Sequence, residues 1–299
     1  MAAAFTLMLL LASCLKEDLA DCPEQIRIYF APETRAGDES NTAGIDRLHL
    51  YVFCEQGYFQ AEYRDDNITA FGSDYYIDCS NLLPGKYRFV AWGGKDDGSY
   101  SVTPAPFVKG ETTFDEAVLT LRRTGNTAAA VQRHLFHAGL TATVTYDRTQ
   151  RFDMPLTQLS NTVSIRTAGL PAGDNSYTLR ITDSNGSYKF DRSPASGDAF
   201  TYAAPCTRDA ASQLSASLNV LQLSADRPVP RLEIYNETAG SLLYPAGNQT
   251  GNLVELIQGA YPQNDFNTVH TYDIVITFTP AVTVSVNGWV VYSQDSELL

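Results

Sequence analysis

Cys14 has the clearest chemical context in this chain. It closes Leu11-Ala12-Ser13-Cys14, directly after the uncharged apolar run of residues 2–11. Small side chains ahead of a cysteine suit a peptidase that cuts before it, and the thiol is what a lipid can attach to. As a helix the run is about 15 Å long, half of a roughly 30 Å hydrocarbon core, so it reads as the h-region of a signal peptide and not as a spanning helix. Residues 1–13 are therefore expected to be a lipoprotein signal peptide, Cys14 the lipidation site and residues 14–23 a short spacer. No Lys or Arg precedes the run, a departure from the usual basic start of such peptides.

Other reactive residue types lack partners at useful spacings. Cys22, Cys54, Cys79 and Cys206 allow three pairings, and an oxidising compartment permits disulfides. Cys54 ends one expected strand and Cys79 precedes the turn into another, which favours a Cys54–Cys79 bridge. No C-x-x-C spacing supports zinc. His134 and His137 could share a helix face and hold a metal, but the helical pattern fails by Leu140 and no carboxylate is spaced with them. They read as polar or packing residues. Asp183-Ser184-Asn185-Gly186 is similar to the start of a calcium loop. The bidentate acid such a loop needs at position 12 is Pro194, so the segment reads as a hairpin turn. Asp65-Asp66 and Asp96-Asp97 read as solvated loop acids. No nucleophile elbow, zinc helix, P-loop or dinucleotide fingerprint occurs. No catalytic, cofactor-binding or metal site is expected.

The composition narrows the class further. The 299 residues carry 21 Lys+Arg against 34 Asp+Glu, a net charge of −13. So acidic a chain has no electrostatic footprint for nucleic acid. Hydrophobic residues make up 44%, with 17 Tyr and 14 Phe, which excludes wholesale disorder. The length suits about two domains.

The elements that would position these residues have a period of two. Ile26, Ile28 and Phe30 share one face of a first strand. Leu48, Leu50 and Val52 share one face of a second, with His49, Tyr51 and Phe53 opposite, and Glu55-Gln56-Gly57 turns it into a strand over Tyr58–Arg64. Tyr87, Phe89 and Ala91 alternate with Arg88, Val90 and Trp92, and Leu140–Tyr146 continues the theme. Further strands are expected at Val163–Ile165, Tyr177–Ile181, Ser217–Leu223, Arg231–Tyr235, Thr271–Phe278 and Val282–Tyr292. Asn185-Gly186 is the strongest hairpin signal. Only Thr127–His134 and Leu253–Tyr261 suggest helix. The polar, basic stretch Asp147–Phe152 reads as a linker, which divides the chain into two β-sandwiches, 24–147 and 148–299.

Several segments together resemble the Bacteroidales fimbrial anchor-subunit family. They are Cys14–Asp18 leading to Asp21-Cys22-Pro23, Arg47–Phe53 running into Gly57-Tyr58-Phe59, Leu83–Gly94 (LPGKYRFVAWGG), Leu135–Gly139, Leu159–Ile165, and Val282–Leu298 with Trp289. Cys54 stands where the family more often has Asp, and His137 where it has Tyr. The resemblance implies an all-β fold of two tandem transthyretin-like, Greek-key sandwiches. It implies a non-enzymatic outer-membrane lipoprotein that tethers a fimbria and joins a shaft subunit by strand addition, any host or bacterial receptor being engaged through the assembled fimbria. A tip or accessory adhesin of the same superfamily, or a glycan-binding surface lipoprotein using exposed tyrosines, are the rival readings.

Arg35 lies in the polar stretch Ala31–Ala43, an exposed, protease-accessible loop between the first two strands. The resemblance implies that shaft precursors are cut after such an arginine and lose their first strand. An anchor must keep its lipidated end joined to its body, so Arg35 is expected to stay uncut.

Overall fold

Alternating side chains become paired strands along nearly the whole chain. The structure is a computed structural model that describes residues 25–33, 44–129, 133–145, 148–170, 173–195, 197–227, 230–247, 249–278 and 282–293. The strands of the first half are β1 (Ile26–Pro32), β2 (Leu48–Cys54), β3 (Phe59–Asp65), β4 (Tyr76–Asp78), β5 (Gly85–Gly93), β6 (Tyr100–Thr103), β7 (Val118–Leu121), β8 (Thr127–Ala129), β9 (Phe136–Val144) and β10 (Gln150–Gln158). Those of the second are β11 (Ser160–Ala168), β12 (Tyr177–Asp183), β13 (Ser187–Lys189), β14 (Phe200–Pro205), β15 (Thr207–Arg208), β16 (Leu214–Leu221), β17 (Arg231–Asn236), β18 (Ser241–Tyr244), β19 (Thr271–Thr277), β20 (Thr283–Val286) and β21 (Trp289–Ser293), with helix α1 (Leu253–Ala260) before β19.

The first sandwich is one seven-stranded sheet, β3-β2-β5-β9-β10-β1-β4, folded on itself. β9 and β10 pair only at Phe136–Gln158 and His137–Thr157. From there β10 leaves to run parallel to β1, from Ile26 opposite Gln150 to Pro32 opposite Leu156. Ile26, Ile28 and Phe30 of β1 share one buried core with Leu50, Phe89 and Met154. Each such apolar side chain contributes about 1.5–3 kcal/mol. The expected linker is thus largely strand: 150–152 begin β10, and Arg151 and Asp153 are polar because they sit on its solvent face. Residues 146–147 lie outside the described set.

The second sandwich faces sheet β15-β16-β11-β19-β20-β21 with sheet β18-β17-β12-β14-β8. Val163, Ile165 and Ile274 meet Leu179, Ile181 and Leu232 between them. Helix α1 starts where Asn252 accepts a hydrogen bond from Glu255 N at 3.1 Å, and it buries Leu253, Val254 and Ile257. The expected helix at Leu253–Tyr261 is therefore present. The one at Thr127–His134 is not: Thr127–Ala129 is β8, drawn into a parallel pairing with β14, and 130–132 lie outside the described residues.

The halves of the chain are knitted together. β8 extends a sheet of the second sandwich, and β13 of the second half pairs with β7 and through it β6 of the first. Gly186, expected in a hairpin, is instead part of a crossover, because β12 pairs with β14 and β17 while β13 joins β7. The single strand expected over Val282–Tyr292 is a hairpin, β20–β21, turned by Asn287-Gly288.

Candidate functional site

Three regions combine chemical character with a defined position. The first is the outer face of the β2–β5–β9 arm. The alternation that points Leu48, Leu50 and Val52 inward points Tyr51 and Phe53 outward, yet both are buried. Phe190, contributed by the second half, packs 5.0 Å from Tyr51, 5.9 Å from Phe53 and 5.9 Å from Trp92, measured between ring centroids. Phe114 meets Phe53 edge-on at 5.4 Å. His137 meets Trp92 edge-on at 4.8 Å between ring centroids, and its Nε2 lies 3.0 Å from Phe190 O. Burial pushes the His137 pKa down to about 4, so the ring is neutral near pH 7. His137 is a packing residue in a buried aromatic joint between the two sandwiches.

The second region is a charge network at the rim of that joint. His49 is fully buried; its Nδ1 lies 3.2 Å from Glu62 Oε1 and its Nε2 3.1 Å from Asp66 Oδ1. Lys95, also buried, donates to Asp97 Oδ1 at 2.8 Å, and Arg64 reaches Asp97 at 3.0 Å and Asp66 at 3.1 Å. The hydrogen bond from Lys95, reinforced by Arg64, holds the Asp97 carboxyl down at about 2. Burial is the largest influence on Glu62 and raises it, but the bond and charge of His49, the Tyr51 hydroxyl and the charge of Arg64 together outweigh it and leave the carboxyl below the usual carboxylate range. Asp66 and Asp97 are therefore network members and not free solvated acids. Asp96 is also engaged, accepting from Gly98 N and Ser99 N. Every carboxylate in the network faces a cation or a ring nitrogen, which suits buttressing β2 against β3 and leaves no poised base. Spacing along the chain could not reveal this group, because the Gly57 turn brings His49 opposite Arg64 only once the strands pair.

The third region comprises the sheet edges, where main chain is open to another chain. β3 is an edge guarded by Glu62, Arg64 and Asp65. β21 is an edge without a charge among Trp289–Ser293, and it exposes Trp289 at 64% and Val290 at 69%. Beside it lies a cleft of about 270 Å³ lined by Tyr244, Leu256 and Val291. β21 thus has the character of a contact surface.

The other sequence expectations fall out as follows. Cys14, Cys22 and Arg35 lie outside the described residues. The expected Cys54–Cys79 disulfide is not formed, and among the described residues Cys54, Cys79 and Cys206 bridge to no other cysteine. Cys54 ends β2 opposite Tyr87 of β5, whereas Cys79 follows β4 and donates its N–H to Ile26 O on the facing arm. Burial pushes the Cys79 thiol up to about 12. His134 Nδ1 lies 3.0 Å from Ser160 Oγ. Among the described residues no group of three or more His, Cys, Asp or Glu could hold a metal ion, and no helix is long and apolar enough to cross a membrane.

Comparison with known proteins agrees with this architecture. The family described as fimbrillin-A associated anchor proteins Mfa1 and Mfa2 matches residues 19–295. The minor fimbrium anchoring subunit Mfa2 of Porphyromonas gingivalis is 24% identical over 96% of this chain and 92% of its own length. The solved structure of the Porphyromonas gingivalis fimbrial anchor protein Mfa2 superposes with a TM-score of 0.71 at 22% identity, covering 91% of this chain and 100% of that one. A Bacteroides thetaiotaomicron protein, described as a candidate polysaccharide-binding protein, superposes at 0.72 with 20% identity over 92% of this chain and 99% of its own. With the match extending over residues 19–295, the chain belongs to the family of fimbrillin-A associated anchor proteins.

Proposed function

We propose that this protein is a lipid-tethered, outer-membrane subunit that holds a fimbria at the cell surface, joins its neighbouring subunit by strand addition and performs no catalysis. The observation that carries this reading is the position of β1. It is an interior strand between β10 and β4, and its Ile26, Ile28 and Phe30 are wholly buried. A chain attached at Cys14 is then fastened to the first sandwich through its core. The residues from Cys14 to Ile26 reach about 40 Å at most when extended, which keeps the body close to the lipid. Cleavage after Arg35 would leave β1 held by pairing alone, so an anchor gains by staying intact there. The family match and the uncharged β21 edge are consistent with a protein whose work is assembly.

Membrane fractionation of the wild type and Cys14→Ala, with recovery of associated fimbrial subunits, tests the proposal. The wild type should partition with membranes, take up labelled palmitate and bring down another fimbrial subunit, and Cys14→Ala should be released. A mutant that still partitions with membranes, or mature protein that begins at Ala36, would overturn it.

A further inference from the structure

β9 and β10 begin as an ordinary antiparallel pair and then part, and the reason is chemical. Extending their register places Gly139 opposite Pro155. Leu159 N donates to Leu135 O, and Gln150 Nε2 donates to Thr143 O, so the odd-numbered residues of β9 turn their main-chain groups towards β10. The pair at 139 and 155 would have to exchange two hydrogen bonds, and Pro155 has no N–H to give. β10 turns away and takes β1 as its partner.

A bare slot remains. On the β9 side, the N–H and C=O of Gly139 and Thr141 and the N–H of Thr143 have no partner among the described residues. On the other lip, Gln150 N bonds Gln25 O and Leu156 O accepts from Glu33 N, so the even residues of β10 serve β1. By alternation Arg151 and Asp153 direct their main-chain groups at the slot. Leu140, Ala142 and Phe152 point towards the core but are only partly buried, so the sandwich is open along this side. The free part of β9, Ala138–Val144, carries no charged side chain and no proline. The edge strand β3, by contrast, is protected by three charges.

We propose that this slot, between β9 and β10 of the first sandwich, receives an extended strand from another fimbrial subunit. The proposal rests on the assembly role above and specifies where the strand lies. The incoming segment pairs with Gly139 and Thr141. Its alternate residues are apolar, covering Leu140, Ala142 and Phe152, and the residues between them are polar. A second copy of this chain is disfavoured as the occupant. Two bodies of net charge −13 would meet, and a symmetric pairing of two β9 edges would leave both β10 lips uncovered.

Thr141→Pro tests the slot, because it deletes an N–H that makes no bond among the described residues; Thr141→Val keeps the N–H. Full-length protein is recovered from native membranes with its associated subunits, and thermal unfolding is measured alongside. The proline variant should hold the fimbrial subunit at least tenfold more weakly, with an unfolding temperature like that of the wild type, while the valine variant binds normally. Hydrogen exchange on wild-type protein gives a readout free of mutation. The amides of Gly139, Thr141 and Thr143 should exchange freely in the isolated chain and be at least tenfold protected in the complex. Undiminished binding by a folded Thr141→Pro, or equal exchange at the three amides in both states, overturns the slot alone. Cross-links from position 141 to a second copy overturn the choice of occupant. A wild type that recovers no fimbrial subunit overturns both this proposal and the anchoring role.

Discussion

Two Asn-Gly pairs occur at comparable places, each following a strand of the second sandwich, and they do opposite things. Asn287-Gly288 turns β20 into β21 with φ of 45° and 87°, the two left-handed residues a tight hairpin needs. Asn287 Oδ1 accepts from Asp273 N and its own N–H donates to Asp273 O, tying the turn to β19. Asn185-Gly186 makes no hairpin. Asn185 is buried, donates through Nδ2 to Leu221 O at 2.7 Å and accepts from Tyr202 Oη at 2.8 Å. Gly186 is required by space, since a Cβ there would come within 2.9 Å of the Phe200 ring. The same dipeptide serves backbone chirality at one site and side-chain hydrogen bonding at the other. What separates them is whether the next strand has a partner close by in sequence or in a distant sheet.

The difference can be tested by mutation. Asn185→Ala should cost most, about 3 kcal/mol in chemical denaturation, because it strands a buried hydroxyl and a carbonyl. A loss under about 1 kcal/mol would place Asn185 among ordinary turn residues. Asp183, at the start of the same crossover, comes next. Burial raises its pKa to about 6, against donation from Ser184 N and the charge of Arg227. An unfolded Asp titrates near 3.9, so between about pH 4 and 6 the folded chain retains a proton the unfolded chain has lost. Stability should be highest below about pH 4 with respect to this group and fall as the pH rises to about 6, by roughly 2–3 kcal/mol. Asp183→Asn should flatten that slope and raise stability at pH 7; an unchanged pH profile would show that the carboxyl is not desolvated.

Smaller effects are expected from the glycines. Gly186→Ala should cost about 2 kcal/mol through overpacking against Phe200, and Phe200→Leu in the same chain should recover part of the loss. Gly288→Ala should cost about 1 kcal/mol through backbone strain alone, with no rescue from any neighbouring side chain. If Phe200→Leu fails to relieve Gly186→Ala, the two glycines are alike after all.

Period two made the all-β class, the first strands and the Gly57 hairpin legible, and α1 was legible from its apolar spacing. What stayed hidden depended on contacts distant in sequence. Tyr51, Phe53 and Trp92 showed the alternation of one-sided strands, yet Phe190 covers their other side. Such a sheet is core on both faces, and alternation alone cannot report that when aromatics occupy both sets. Thr127–Ala129 lacks a strand pattern because β14 supplies its pairing. The candidate contact surfaces were less visible still. Pro155 is one residue in the sequence, but the pairing of β9 with β10 stops short of it, leaving Gly139 and Thr141 without a β10 partner, which only the register of the two strands discloses.

The parallel pairing of β1 with β10 also sets how the molecule bears load. A pull on the N-terminal side of the chain enters the fold at Ile26 and runs along the axis of β1. The bonds to β10, spread from Gln150 to Leu156, are then strained side by side in shear instead of opening one after another as in an unzipping hairpin. Only Leu159 separates β10 from β11, so the tension continues into the second sandwich along a strand held between β16 and β19. The time for which the protein holds against a sustained pull is governed by its unfolding rate under force, and β1 is the strand on which that rate first depends.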